Sequence, residues 1–233
     1  MKDDTLKELL NMVIEHYIDK GEPIGSKFLH SLEDMEYAPS TLRKYLNILE
    51  KEWLLYQPYN SAGRIPTVQW LSSYLENLLA LPQEKQQPGE MTEMWFDLEY
   101  ARNDLRTVVE TLGEYADGAV VWFLKADEYY YLGINNLLKE SFMPDYETTR
   151  YLIKFIETKK IVEELDAKLT KKGKVYYTFI QQDEKLISAV YMKVEVNGYD
   201  AMISIIGPAR TDHKKNILLL RKFMSFGEDS EAA

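Results

Sequence analysis

Leu6, Leu9, Leu10, Val13, Tyr17 and Ile18 recur at three- and four-residue spacing until Gly21 interrupts them, so one face of a first helix is apolar. Thr5 followed by Glu8 reads as the capping box that opens this helix. Glu22-Pro23-Ile24-Gly25 is a turn, and Ser26 is placed to cap a short second helix through Leu32. Pro39 suits a first helical position, and Leu42, Leu46, Leu49 and Trp53 form a narrow apolar stripe on a third helix. Two short strands are expected at Leu54–Gln57 and Arg64–Pro66, joined by the polar turn Tyr59-Asn60-Ser61-Ala62-Gly63. Three helices followed by a small hairpin is the order of a winged helix-turn-helix.

A further helical pattern covers Val68–Leu81, and Pro82-Gln83-Glu84-Lys85-Gln86-Gln87-Pro88-Gly89 has the polar, proline-punctuated composition of a linker. Phe96, Leu98, Ala101, Leu105, Val108, Val109 and Leu112 then mark a long helix. The texture changes at Ala119–Leu124, Tyr129–Ile134, Lys174–Ile180, Leu186–Val196 and Tyr199–Ile206, which read as strands. Asn197-Gly198 between the last two is a hairpin signal, since both residues accept the positive φ of a type I′ turn. Helical patterns occupy Tyr146–Thr170 and Asp212–Phe226. The fold class is therefore α+β, with an N-terminal winged helix-turn-helix over residues 1–81, a linker over 82–91, an α+β domain with an antiparallel sheet over 92–226 and a disordered tail over 227–233.

Composition narrows the function classes. The 233-residue chain contains no cysteine, which excludes disulfides and thiolate metal sites. No stretch approaches the roughly 18 apolar residues of a membrane span, and the N-terminus enters an amphipathic pattern directly, so neither export nor a membrane association is expected and the expected compartment is cytoplasmic. The formal charge of −10 disfavours a protein that coats nucleic acid, and residues 1–80 carry eight Lys and Arg against twelve Asp and Glu. Any contact with DNA must use cations gathered on one face.

On the third helix, a rotation of roughly 100° per residue sets Ser40, Lys44, Asn47 and Lys51 opposite the apolar stripe, with Thr41 and Arg43 at its flanks. Hydroxyls, amides and cations are the groups that hydrogen-bond to base edges and phosphates. Lys44 is placed to meet guanine O6 and N7, and Arg64, following a Gly63 that lets the wing turn, to reach a phosphate or a narrow minor groove. His16, His30 and His213 lack metal-ligand spacing, the glycines form no phosphate loop, and no activated nucleophile is evident, so no cofactor, metal or enzyme activity is expected. Tyr129-Tyr130-Tyr131 reads as core or cross-strand pairing in preference to a base-stacking platform.

Gly21-Glu22-Pro23-Ile24-Gly25-Ser26, Ser40-Thr41-Leu42-Arg43 with Leu49-Glu50, and Gln57 through Thr67 resemble, in order and spacing, the GEPVGS, ATIR…LE and QPHTSAGRIPT blocks of the heat-inducible repressor HrcA family. Further along, Gly133-Ile134-Asn135-Asn136-Leu137-Leu138 is similar to GLSNLL, Ile180 through Glu184 stands in place of IGEEN, and Ile206 through His213 is similar to IGPTRMDY. The resemblance implies a winged helix joined to a GAF-like domain, and repression of chaperone genes through an inverted-repeat operator in double-stranded DNA. It also implies a homodimer and control by a GroEL-type chaperonin. DNA-binding residues carried over or read from the helix are Lys27, Ser40, Thr41, Arg43, Lys44, Asn47, Tyr59, Asn60, Ser61, Gly63 and Arg64.

This chain departs from the pattern at Lys44-Tyr45, where the family has Asn-Asp, and at Tyr59-Asn60, where it has His-Thr. Ala38 replaces the usual Ser cap, a change worth about 1 kcal/mol unless a neighbour substitutes. Only Gly118–Tyr131 stands where the longer family chain carries the start of its GAF-like domain and an inserted dimerisation domain. The alternative is a divergent adaptor or ligand- and partner-sensing regulator with weak DNA binding.

Overall fold

The computed structural model describes residues 2–33, 35–81, 105–123, 129–139, 142, 146–168, 170–183, 185–196 and 199–230. The chain forms two compact units, Met1–Glu76 and Asn77–Ala233. The expected linker, the hairpin residues Asn197 and Gly198, and the first part of the helix expected from Phe96 lie outside the described residues. Among the described residues no helix is long and apolar enough to cross a membrane.

In the first unit, α1 (Lys2–Lys20), α2 (Ser26–His30) and α3 (Pro39–Lys51) precede the hairpin of β1 (Leu55–Tyr56) and β2 (Ile65–Pro66), after which α4 (Val68–Ala80) begins. Their apolar stripes meet as expected: Leu9, Leu10, Val13, Ile24, Leu29, Leu42, Leu46, Leu49 and Leu55 form one buried cluster. Burial of nine such side chains at about 1.5–3 kcal/mol each is what holds these short elements together. Backbone contact also ties the turn before α2 to the wing, where Ile24 and Arg64 exchange hydrogen bonds of 2.9 and 2.8 Å. The wing thereby gains a third strand position.

Local details correct three expectations here. Helix α1 already runs at Lys2, so Thr5 and Glu8 lie inside it. Gly25, not Ser26, is the N-cap of α2, and Ser26 is buried as the first helical residue. Ala38 caps α3 without a side-chain bond, as its chemistry requires; Pro39, with no N–H to satisfy, follows it, and the Ala38 carbonyl accepts from Thr41 and Leu42 at 2.9 and 3.0 Å. Trp53 is not part of the apolar stripe. Helix α3 ends before it, Trp53 and Leu54 donate to the carbonyls of Glu50 and Leu49 in a Schellman arrangement, and the indole is 77% exposed.

The second unit runs α5 (Leu105–Tyr115), β3 (Ala119–Phe123), β4 (Tyr129–Leu132), a 3-10 helix (Ile134–Leu138), α6 (Tyr146–Glu157), α7 (Lys160–Asp166), β5 (Val175–Gln182), β6 (Lys185–Val196), β7 (Tyr199–Pro208) and α8 (His213–Ser230). The strands form one antiparallel sheet ordered β4-β3-β7-β6-β5. Its pleat sends Val121, Phe123, Ile187, Ala189 and Ile206 into a cluster with Leu152, Phe155, Ile161 and Leu165 of α6 and α7. The opposite face carries Val120, Val190 and Ile205, also buried. On that face Phe179 meets His213 of α8 at 6.0 Å between ring centroids. Both faces of the sheet are thus covered, and the class is α+β as expected.

The single helix expected over Tyr146–Thr170 is two helices. After Ile156 the apolar stripe skips to Ile161, a spacing no straight helix keeps on one face, and Lys159 in the left-handed region (φ +59°) resets the direction. The strand expected at Tyr129–Ile134 stops at Leu132 because Gly133, at φ +71°, opens the 3-10 turn. Tyr130 and Tyr131 are exposed, not core, although Tyr130 does stack cross-strand on Trp122 at 5.4 Å. Helix α8 continues to Ser230, into the tail expected to be disordered from 227.

Two sequence blocks of this unit serve one structural knot. Asn136 Nδ2 donates to the carbonyls of Gly113 (2.7 Å) and Gly118 (3.2 Å). Asp117 accepts from Lys139 Nζ at 2.6 Å and from the Asp212 amide at 2.7 Å, while Asn216 exchanges two bonds with the Asp117 backbone. The Gly133–Leu138 and Ile206–His213 blocks therefore hold the start of β3 against the start of α8.

Candidate nucleic-acid interface

Helix α3 has a buried side and an open one because its sequence alternates Leu with Lys, Asn and Ser at helical period. Leu42, Leu46 and Leu49 are in the core. Ser40, Arg43, Lys44, Asn47 and Lys51 are exposed, and Thr41 is half-buried at the flank. Tyr45, one of the two departures from the family pattern on this helix, turns inward, packs on the core and meets Tyr37 edge-to-face at 5.5 Å. Of the two departures, Lys44 alone stands on the open face.

Lys27 on α2 and Arg43, Lys44 and Lys51 on α3 are all exposed and have no ion-pair partner among the described residues. Glu50, the carboxylate of α3, is engaged elsewhere: its Oε2 accepts from Arg64 Nη2 at 2.8 Å and Nε at 3.0 Å.

Arg64 is consequently not free in the way its position in the wing implied. Its side chain is only 13% exposed. Nη2 also donates to Asn47 Oδ1 at 3.0 Å, and Nη1 faces the carbonyls of Ala62 and Gly63 at 3.5 and 3.4 Å. The guanidinium lies against α3 and welds wing to helix. Gln57 Nε2 braces the same turn by donating to the Ala62 carbonyl at 3.0 Å.

Gly63 is required for a reason other than turning. Its φ is not positive; a Cβ there would stand 2.4 to 2.6 Å from the backbone of Pro23 and Ile24, so only glycine admits the Ile24–Arg64 pairing. The residue with left-handed backbone is Ser61, at φ +66°. Tyr59, Asn60 and Ser61 form the exposed tip, with Tyr59 at 66% exposure. Sequence reasoning thus found the open face of α3 and the wing tip but missed Glu50 and Ile24 as the groups that position them. The Leu49-Glu50 pair and the Ile24 block were visible signals without visible partners.

No family model matches the chain. The heat-inducible transcription repressor HrcA of Methylococcus capsulatus is 34% identical over 108 residues, which is 46% of this chain and 29% of that protein. HrcA of Thermosynechococcus vestitus is 38% identical over 76 residues, 33% of this chain and 22% of that one. The chain therefore aligns with less than a third of the length of these curated relatives, and over those stretches it is related to the HrcA family. A crystal structure of a hypothetical protein superposes with a TM-score of 0.72 over 97% of both chains at 16% identity, a likeness of fold.

Proposed function

We propose that this relative of the HrcA repressors is a DNA-binding transcriptional repressor, with α1 to α4 and the wing acting as a winged helix-turn-helix. The observation that carries the reading is the set Lys27, Arg43, Lys44 and Lys51: exposed cations with no ion-pair partner among the described residues, in a unit that is otherwise acidic. Such cations displace counterions from phosphates, and a helix face mixing them with Ser40, Thr41 and Asn47 has the donors that base edges accept. Tyr59, Asn60 and Ser61 at the wing tip meet the backbone beside the groove. Gly63 and Arg64 contribute by holding the wing against α3.

The second domain, read as GAF-like, serves assembly. A single small head covers too few base pairs for a specific site, so the working form is a homodimer on an inverted repeat, built mainly by residues beyond the linker. Heat-shock and chaperone genes are the proposed targets, a GroEL-type chaperonin the proposed controlling partner and the cytoplasm the proposed compartment. Selection of bound fragments from the source genome tests the reading, followed by titrations of matched and mismatched duplexes at several salt concentrations. Lys44→Ala should relax preference at particular operator positions, by about 1–3 kcal/mol at one base pair. Binding by Lys44→Ala and Arg43→Ala that matches the parent on every duplex and at every salt concentration would remove DNA reading and leave the adaptor alternative.

A further inference from the structure

We infer that Asn47 selects a base whose major-groove edge presents acceptors and no donor, guanine or thymine, and that Arg64 is the positioning residue that makes it do so. The inference rests on the reading-head proposal above and specifies the chemistry of one of its contacts.

A guanidinium has five N–H donors and no acceptor. Arg64 directs Nε and one Nη2 hydrogen to Glu50 and the other Nη2 hydrogen to Asn47, at 3.0, 2.8 and 3.0 Å. The amide atom of Asn47 that faces Arg64 must therefore be its oxygen. This settles the orientation of an otherwise ambiguous amide by chemistry alone.

With Oδ1 turned to the wing, Nδ2 points away from it. Asn47 is exposed, one turn beyond Lys44 and one turn before Lys51 on the open face of α3. A free asparagine in the major groove pairs with adenine through two bonds, its oxygen accepting from N6 and its nitrogen donating to N7. Here a second lone pair remains on Oδ1, but a donor approaching it meets the guanidinium hydrogens already there. The acceptor edge of guanine, N7 and O6, and thymine O4 meet no such conflict. Both are matched by the amide hydrogens and favoured by the neighbouring cation.

The arrangement also explains why Glu50 takes part. Without it, the guanidinium could swing out to a phosphate and release Asn47; two short contacts to one carboxylate oxygen keep it in place.

The test begins with duplexes selected from a randomised pool by the full chain. The operator position contacted by Asn47 is the one at which Asn47→Ala loses preference. Guanine or thymine is expected there, with a discrimination of about tenfold or more over adenine. If the base is guanine, its replacement by 7-deazaguanine should weaken the parent and leave Asn47→Ala unaffected; if thymine, its replacement by cytosine should do the same. Arg64→Ala should admit adenine at that position while keeping the base preference assigned to Lys44, a pattern that a merely loosened wing does not produce. Retention of the Lys44-dependent preference and of a cooperative thermal transition shows that the variant is folded. Adenine preferred by the parent at the Asn47 position, or an unchanged preference in Arg64→Ala, overturns the inference with DNA reading intact. Absence of any sequence-preferring duplex overturns the reading-head proposal itself.

Discussion

Trp53 and Gly63 occupy each other's expected circumstances. The residue after a helix that adopts a left-handed backbone is usually glycine, yet here it is tryptophan at φ +59°, closing α3 with its ring in solvent. Trp53→Gly should raise the stability of the unit by about 1 kcal/mol, the usual cost of a side chain in that region. An unchanged or lowered denaturation midpoint would show that the indole makes a compensating contact. Gly63 needs no positive φ but has backbone where a Cβ would be. Gly63→Ala should destabilise by roughly 2 kcal/mol or more, as overpacking against main chain does, and should weaken duplex binding in parallel. A fully stable alanine variant would contradict the pairing of Ile24 with Arg64.

At the scale of elements, the decisive contact joins α3 to the wing. Arg64 and Glu50 lie 14 residues apart and are partly shielded from water. A double-mutant cycle on Glu50→Ala and Arg64→Ala, followed by urea unfolding, should return a coupling of about 1–2 kcal/mol, in the range of charge-assisted bonds. Additive effects would mean that the pair does not hold the wing. The same scale explains the split of α6 from α7. An apolar stripe that skips from Ile156 to Ile161 can reach the same core cluster only if the helix turns between them. Periodicity marks a helical stretch; it does not announce a break unless glycine or proline marks it, and here a lysine makes it.

For the molecule as a whole, His213 makes stability depend on pH. It is buried, its ring nitrogens have no hydrogen-bond partner among the described residues, and burial holds its pKa down to about 4 against a partial opposing pull from Asp117. Unfolded histidine titrates near 6.5, so the unfolded chain takes up a proton first as pH falls. Stability is full above about pH 6.5 and declines towards pH 4, by up to about 3 kcal/mol from this group. Asp212, whose carboxyl pKa burial raises, acts in the opposite sense. Unfolding measured at pH 7, 6 and 5 should show the decline, and His213→Gln should flatten it; an equal slope in both proteins would refute the assignment. Assembly belongs to the same scale: sedimentation at tens of micromolar should show a dimer, and a strict monomer with or without operator would count against the inverted-repeat proposal.

The sequence by itself determined which side of α3 is buried and which stays open. Leu42, Leu46 and Leu49 went inward, and Ser40, Lys44 and Asn47 outward, because a helix of fixed pitch admits no other sorting. Runs rich in β-branched and aromatic residues likewise located the strands described in the second unit, and Asn197-Gly198 lies between strands that pair Val196 with Tyr199. Only the tertiary structure decided what Arg64 does, since its partners Glu50 and Asn47 are 14 and 17 residues away on another element. It also decided why Gly63 is glycine, because the backbone it must clear belongs to the turn before α2. Pitch and pleat act between near neighbours and can be read along the chain. A guanidinium choosing between a phosphate and a carboxylate depends on which elements the core has already brought together.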